Sequence, residues 1–187
     1  MAKIGLKHFL YGVLTEAANG TATYGAKQSP GKAVSASVSI TTNNAKLYAD
    51  DGIAETDTTF QSGTITLGVD ESDLDTQAAM IGHTVTSNVI TRKSTDVAPY
   101  LGVGRIITLM IGGALKYRVE FLSKVQFGEP SQENTTKGES TEFGTYTLEG
   151  QILTLADGTW SKAETFDTET AAVTYLEGLF GTTPTNP

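Results

Sequence analysis

Alternation of apolar and polar residues over short segments is the feature that most constrains how this chain can fold. In residues 33–40 every second residue is apolar and the residues between are serines. Successive side chains of a β-strand point to opposite faces, so a period of two predicts a strand with one buried face. Residues 60–69 predict a second strand of the same kind. The apolar members are Val34, Ala36, Val38 and Ile40 in the first segment and Ile65, Leu67 and Val69 in the second.

Glycine-containing pairs mark two predicted hairpins in the second half of the chain. Residues 101–111 and 115–121 flank Gly112-Gly113, and glycine tolerates the positive φ angles of tight hairpin turns. Residues 143–155 and 159–166 flank Asp157-Gly158, a second hairpin signal. Residues 84–92 predict one further, shorter strand.

Two segments change to a helical period. Residues 70–82 place acidic residues first and Gly82 last, which predicts a short helix with Ser72 as its cap. Its predicted apolar face is Leu74, Ala78 and Ile81. Residues 168–180 predict a second helix capped by Asp167. Its apolar stripe is Ala172, Tyr175, Leu176 and Leu179.

About eight strands and two helices in 187 residues predict a mainly β fold. We expect one domain, residues 1–187, built as an antiparallel β-sandwich or barrel with one or two flanking α-helices and extended loops and arms. Residues 1–32 are predicted to be an N-terminal arm, or short strand, and loop. Residues 181–187 are predicted to be a flexible C-terminal tail.

Composition excludes several classes of function. The net charge is −8, and lysine and arginine are scattered singly, whereas a DNA-binding protein normally carries a basic patch. The chain has no cysteine, which excludes disulfides, thiolate catalysis and cysteine-based zinc sites. The longest apolar stretch, residues 100–115, contains Arg105 and several glycines and is too short to span a membrane.

No set of residues predicts catalysis or a cofactor. The two histidines, His8 and His83, are far apart in the sequence. The acidic residues 70–75 lack the glycine and glutamate spacing of an EF-hand calcium loop. Gly102 and Gly104 lie in a predicted strand and open no helix, so they are expected to mark close backbone approach rather than a phosphate loop. We therefore expect no enzyme, no metal and no cofactor.

We call residues 129–141 the polar block. It separates two strand-rich halves and carries no nucleophile–base pair. A structureless loop of this length inside a compact domain is usually functional or disordered. As a bland solvated linker it would need no partner. Together with residues 15–32 and 41–60, it is a candidate for a segment that becomes ordered only against a neighbouring molecule.

The polar block resembles the equivalent part of the major tail proteins of long-tailed phages, the subunits of a flexible, non-contractile tail tube. The likeness continues in order along nearly the whole chain. The further segments are MAKIGLKHF (1–9), KLYADD (46–51), GTITLGVD (63–70), APYLG (98–102), WSK (160–162), TFD (165–167) and the last helix.

This resemblance implies a tail-tube fold and a structural role. Family members join into rings, usually hexameric, through sheets that run around a central channel, and the rings stack into a tube that conducts double-stranded DNA at ejection. The implied partners are other copies of the chain, the tape-measure, tail terminator and distal tail proteins, and DNA bound without sequence specificity; no membrane is involved. The implied location is the virion tail, after synthesis in the host bacterial cytoplasm.

The resemblance assigns no catalytic residue and directs attention to contacts between copies. The predicted inter-subunit contacts are Ser131, Gln132, Glu133, Asn134, Thr135, Thr136, Lys137, Tyr48, Asp50 and Asp51. The alternative hypothesis is a monomeric β-sandwich module that binds a polysaccharide, like an adhesin, or decorates a capsid. An enzyme is the third hypothesis, and His83 is the residue whose substitution would test it.

Overall fold

A computed structural model describes residues 2–18, 20–49, 52–70, 74–131 and 146–181. The described residues form twelve strands and two helices. The strands are β1 (Ala2–Glu16), β2 (Ala22–Tyr24), β3 (Ala33–Thr42), β4 (Ala45–Ala49), β5 (Gly52–Asp57), β6 (Phe60–Val69), β7 (Thr84–Thr86), β8 (Val89–Thr91), β9 (Leu101–Ile111), β10 (Ala114–Phe127), β11 (Tyr146–Leu153) and β12 (Ser161–Phe166). The helices are α1 (Leu74–Ile81) and α2 (Glu169–Gly178).

One antiparallel sheet of eight strands dominates the fold. Seven strands follow the order β2-β1-β9-β10-β11-β6-β3, and β12 also pairs with β10. Two small hairpins, β4–β5 and β7–β8, lie outside this sheet. The predicted mainly β architecture with flanking helices is confirmed, and the predicted strand at residues 60–69 has the predicted bounds.

Residues 2–16 form one strand of the sheet, which is longer than the arm or short strand expected at the beginning of segment 1–32. The fifteen-residue β1 pairs with β9 from Ala2 opposite Met110 to Val13 opposite Leu101. Burial explains the difference, because Phe9 is 3% exposed and belongs to the core. Sequence alternation in β1 is broken by a register shift near His8, which has a φ of 50°.

The prediction that β-strands pair as a hairpin around Asp157-Gly158 is wrong, although Gly158 does take a positive φ of 84°. Strands β11 and β12 lie in line along the same side of β10, where Leu153 pairs with Lys124 and Ser161 with Leu122. Residues 154–160 leave the sheet between them and return.

The carboxylate of Glu16 attaches the connecting segment, residues 154–160, to the end of β1. It accepts hydrogen bonds from the backbone N–H of Ala156 (2.7 Å) and from Nζ of Lys124 (2.8 Å). These two bonds, the lysine first, lower the pKa of Glu16.

The predicted β9–β10 hairpin is confirmed. Gly112 and Gly113 have φ angles of 59° and 83°, which match the right-handed twist of the flanking strands. The single strand predicted over residues 84–92 is instead the β7–β8 hairpin. Its turn residues Ser87 and Asn88 also take left-handed φ angles of 49° and 61°.

Two apolar cores lie on opposite faces of β9. The first fills the interior of the folded-over sheet and includes side chains from β1, β6, β9, β10 and β11 together with α1. The second lies between the sheet and α2. A Cβ at Gly104 would lie 2.3 Å from Cδ1 of Leu176, and one at Gly102 would lie 2.4 Å from Cδ1 of Tyr24. The prediction that these glycines mark close approach is confirmed.

Both predicted helices are present, with small differences. Helix α1 ends before Gly82, whose φ of 86° confirms it as the stop, but Leu74 is 40% exposed and does not join the buried face. The cap predicted at Ser72 lies outside the described residues. Helix α2 is capped by Thr168 rather than Asp167, because Oγ1 of Thr168 accepts from the N–H of Ala171.

Gly181 is attached to the domain, since its N–H donates to the carbonyl of Tyr24 (2.9 Å), and the rest of the predicted tail, residues 182–187, lies outside the described residues.

Val34 is 60% exposed rather than buried, because the pairing of β3 with β6 shifts register between Ala33 and Ser35.

Candidate functional site

Of the predicted contact residues, Ser131 is the one whose surroundings are described. Its N–H donates to the carbonyl of Thr147 (3.2 Å), which fixes the beginning of the polar block beside β11. Tyr48 lies in β4 opposite Ile53, and only its backbone is described. The other predicted contacts lie outside the described residues. These are Gln132, Glu133, Asn134, Thr135, Thr136, Lys137, Asp50 and Asp51.

Strand β3 is a long edge of the main sheet. It pairs with β6 on one side, and within the described ranges no strand pairs with its other side. Its ten residues, AVSASVSITT, contain no charged residue and no proline. Charges, prolines and short length are the usual devices that keep an edge strand from pairing with another chain. The edge of β3 therefore lacks these protective devices.

The backbone groups that β3 directs outward can be assigned from one hydrogen bond. Nη1 of Arg105 donates to the carbonyl of Ala36 (3.2 Å), so this carbonyl points away from β6. In an antiparallel strand the N–H and C=O of one residue point to the same side and alternate along the strand. Ala36, Val38 and Ile40 therefore direct their backbone groups to the outer edge, while the side chains of Ser37 and Ser39 are exposed.

An open cleft of about 270 Å³ lies between β3 and the beginning of β1. Arg105 forms its base, and the side chain is 10% exposed. Nη2 of Arg105 donates to Oε2 of Glu120 (2.7 Å), so the buried charge is paired. The lining residues are Lys3, Ile4, Gly5, Leu6, Ala36, Arg105 and Ile107. At this cleft β3 and the beginning of β1 approach each other, and the side chain of Arg105 on β9 bonds to β3.

Two other free edges of the sheet, those of β2 and β12, are protected. Strand β2 has three residues, and the N–H of Gly181 donates to the carbonyls of Tyr24 and Gly25 at its end. Strand β12 has six residues and carries the exposed charges of Lys162 and Glu164. Length and charge therefore single out β3 among the edges described.

A second notable group surrounds His83, which follows α1. Its side chain is 5% exposed, and Nδ1 lies 2.8 Å from Oδ2 of Asp96. Nε2 contacts Oε1 of Glu129, the first residue of the polar block. Arg92 faces the same carboxylate, with Nε 3.7 Å from Oε2. The sequence did not predict the contact between His83 and Glu129, and no local sequence pattern indicates it.

The carboxylates favour the charged imidazole. The hydrogen bond with Asp96 is the largest influence that raises the pKa of His83, and the bond with Glu129 adds to it, while burial opposes both. The pKa of Asp96 is lowered, mainly because its carboxylate accepts from the backbone N–H of Lys93 and also from His83.

This group does not form a nucleophile–base pair. Both ring nitrogens of His83 face carboxylates rather than a serine or threonine hydroxyl. Within the described ranges no group of three or more potential ligands is arranged to hold a metal ion. At the acidic segment 70–75, Oδ1 of Asp70 accepts from the backbone N–H of Lys32 (2.9 Å).

The aromatic residues are mostly core residues. Phe121 and Phe127 are each 1% exposed, so they cannot stack nucleic-acid bases. Tyr100 is 42% exposed, and its ring lies 4.7 Å from Nζ of Lys124. Among the described residues, neither helix has the length and apolar character needed to cross a bilayer.

No protein-family model matches this chain, and no curated protein sequence matches it.

Proposed function

We propose that the chain is a structural subunit that self-assembles through the edge of β3 into the tail tube of a long-tailed, non-contractile phage. The ten-residue edge of β3, which has no charged residue and no proline, is the observation that carries this proposal. Such an edge offers a row of unpaired N–H and C=O groups to a strand of another molecule. The sequence resemblance to major tail proteins supplies the identity of the assembly.

A ring requires that β3 pair with a different surface of the next copy. Antiparallel pairing of β3 with β3 of a second copy would be isologous and would end at a dimer, whereas pairing with another surface is heterologous. A heterologous contact closes into a ring when its rotation allows and otherwise forms a filament. Rings, usually of six subunits in the family, stack into a tube through segments such as the polar block.

The charge of the chain suits a channel for DNA. The net charge is −8, and double-stranded DNA carries about one negative charge per 1.7 Å. An acidic lumen repels the phosphate backbone and lets the genome move without binding. In this role the partners are further copies of the chain and the other proteins of the virion tail.

Electron microscopy of concentrated purified protein tests the proposal. We expect rings or tubes in negative stain and a concentration-dependent rise in mass by sedimentation. Deleting residues 130–141 is expected to leave the monomer fold intact and to reduce assembly. A chain that stays monomeric at high concentration in every salt condition contradicts the proposal. Normal tubes from the deletion variant would leave self-assembly standing and show that the polar block is only a linker.

A further inference from the structure

We propose that His83 is a proton-dependent anchor for segment 129–131, the root of the polar block, and that this anchor strengthens contact with a second copy of the chain. The assembly part of this inference rests on the proposed function. The anchor itself rests on the contacts around His83.

The two ring nitrogens of His83 face different carboxylates. One faces Asp96 at 2.8 Å and the other contacts Glu129. Ionised carboxylates accept hydrogen bonds but cannot donate them. Both contacts are therefore hydrogen bonds only when both nitrogens carry a proton, and this is the charged form of the imidazole.

Loss of one ring proton breaks the contact with Glu129 rather than the contact with Asp96. Asp96 is 15% exposed and also accepts from the backbone N–H of Lys93 (2.9 Å), so it keeps a partner inside the fold. Glu129 is 55% exposed, and water can solvate its carboxylate. A neutral imidazole presents a lone pair to one carboxylate. Glu129 is the residue that is free to turn away.

Other charged groups also lie near His83. Among the described residues Arg92 faces Glu129 as well, and at 3.7 Å its contact is long. Lys93 reaches Asp96 through its backbone. Helix α1, which leads into His83, buries Met80 and Ile81 beside it in the sequence and adds no charge among its buried residues. The state of His83 therefore governs the attachment of Glu129.

Glu129 is the first residue of the polar block. Two residues later the N–H of Ser131 donates to the carbonyl of Thr147 on β11. The bond between His83 and Glu129 and the bond between Ser131 and Thr147 together fix both ends of segment 129–131. Losing the first leaves the second as a single exposed bridge at the start of the polar block.

The direction of the pH effect follows from linkage. Because the fold raises the pKa of His83, the stabilisation by this residue is fully present below the ordinary pKa of about 6.5 and is lost as the pH rises through the raised pKa. Anchoring and self-association should therefore both weaken on the alkaline side of this range.

The test follows three quantities from pH 5 to pH 9: the ring proton shifts of His83 and the amide exchange of Ser131, both by NMR, and self-association by sedimentation velocity. Substituting His8→Gln leaves a single histidine and assigns the ring signal. We expect the protection of Ser131 and the association constant each to fall about tenfold as His83 deprotonates, as for the loss of a charge-assisted hydrogen bond.

The variant Glu129→Gln is expected to remove both pH-dependent steps and to lower the pKa of His83. His83→Gln should also remove both steps, but its position is buried, so the exposed Glu129 gives the cleaner variant. The matched control is Glu149→Gln, which removes an exposed carboxylate from β11 and should behave as the wild type.

The outcomes separate the two proposals. If Glu129→Gln keeps the wild-type pH steps, the anchor is overturned and the tube proposal stands. If the wild type never associates, the tube proposal fails, and the amide of Ser131 alone decides the anchor. A step that is present in the wild type and absent in Glu129→Gln supports it, and equal protection at all pH values overturns it.

Discussion

Strands β3 and β12 both lie at free edges of one antiparallel sheet, but they differ in length and in charge. Strand β12 is six residues long and places Lys162 and Glu164 on the surface. Strand β3 is ten residues long and exposes serines and threonines without a single charge. The contrast teaches that edge protection is set locally, strand by strand. An edge strand of ten residues without a charge or a proline is a candidate contact surface.

The largest effect is expected from giving β3 the protection that β12 has. Substituting Ser37→Lys and Ser39→Lys together places two charges on the exposed face of the edge strand. We expect self-association to weaken about hundredfold, because a partner strand would have to bury or displace both charges. Sedimentation velocity measures the association, and circular dichroism checks the fold.

The matched control for this change is Ser37→Thr with Ser39→Thr, which keeps the edge uncharged and suits a strand. It should assemble as the wild type does. Undiminished assembly of the lysine variant would show that β3 is not the contact edge.

A smaller effect is expected from the reverse exchange. Substituting Lys162→Thr and Glu164→Thr removes the charges from β12 and creates a second unprotected edge. We expect about tenfold stronger association, with species larger than those of the wild type. The control, Lys162→Arg with Glu164→Asp, keeps both charges and should leave the size distribution unchanged. An unaltered distribution for the threonine variant would mean that charge is not what protects β12.

The smallest effect concerns the hydrogen bond between Arg105 and the outer side of β3. Arg105→Lys removes the planar group that bonds both Glu120 and the carbonyl of Ala36. The free energy of unfolding should fall by about 1–2 kcal/mol, because a lysine cannot replace both contacts of a nearly buried guanidinium. Urea denaturation measures this change. A variant as stable as the wild type would show that Arg105 does not hold β3 in place.

Local signals in the sequence predicted much of the fold. Alternation located β3 and β6, and Gly112-Gly113 located the β9–β10 turn. The helix stop at Gly82 was also correct. Each of these features is decided by a few neighbouring residues, so a single sequence is enough to reveal it.

Features that depend on distant residues escaped prediction. Nothing local to β1 reveals that it pairs with β9, and the Asp157-Gly158 turn looks like that of any hairpin. Both flanking strands pair with β10 and not with each other, and only this pairing shows that the turn belongs to a loop between β11 and β12.

The candidate site was predicted in part. The polar block was identified from its composition, but its anchor at His83 joins residues 46 positions apart in the sequence and has no local signature. The open edge of β3 could have been found earlier. The absence of charge and proline from residues 33–42 is visible in the sequence, and what the sequence lacks is the knowledge that this strand lies at the end of the sheet.

The position of β1 has a consequence for the order of events on the ribosome. Leu6 pairs with Ile107, so residues 2–10 of β1 have no strand partner until more than half of the chain has emerged. At a synthesis rate of about 5–20 residues per second, the wait lasts several seconds. During that time Phe9 and Tyr11, which end up buried, are exposed to solvent or to a chaperone. The main sheet of a copy is therefore incomplete until the β9–β10 hairpin has been made, so a copy can present a finished sheet to its neighbours only late in its own synthesis.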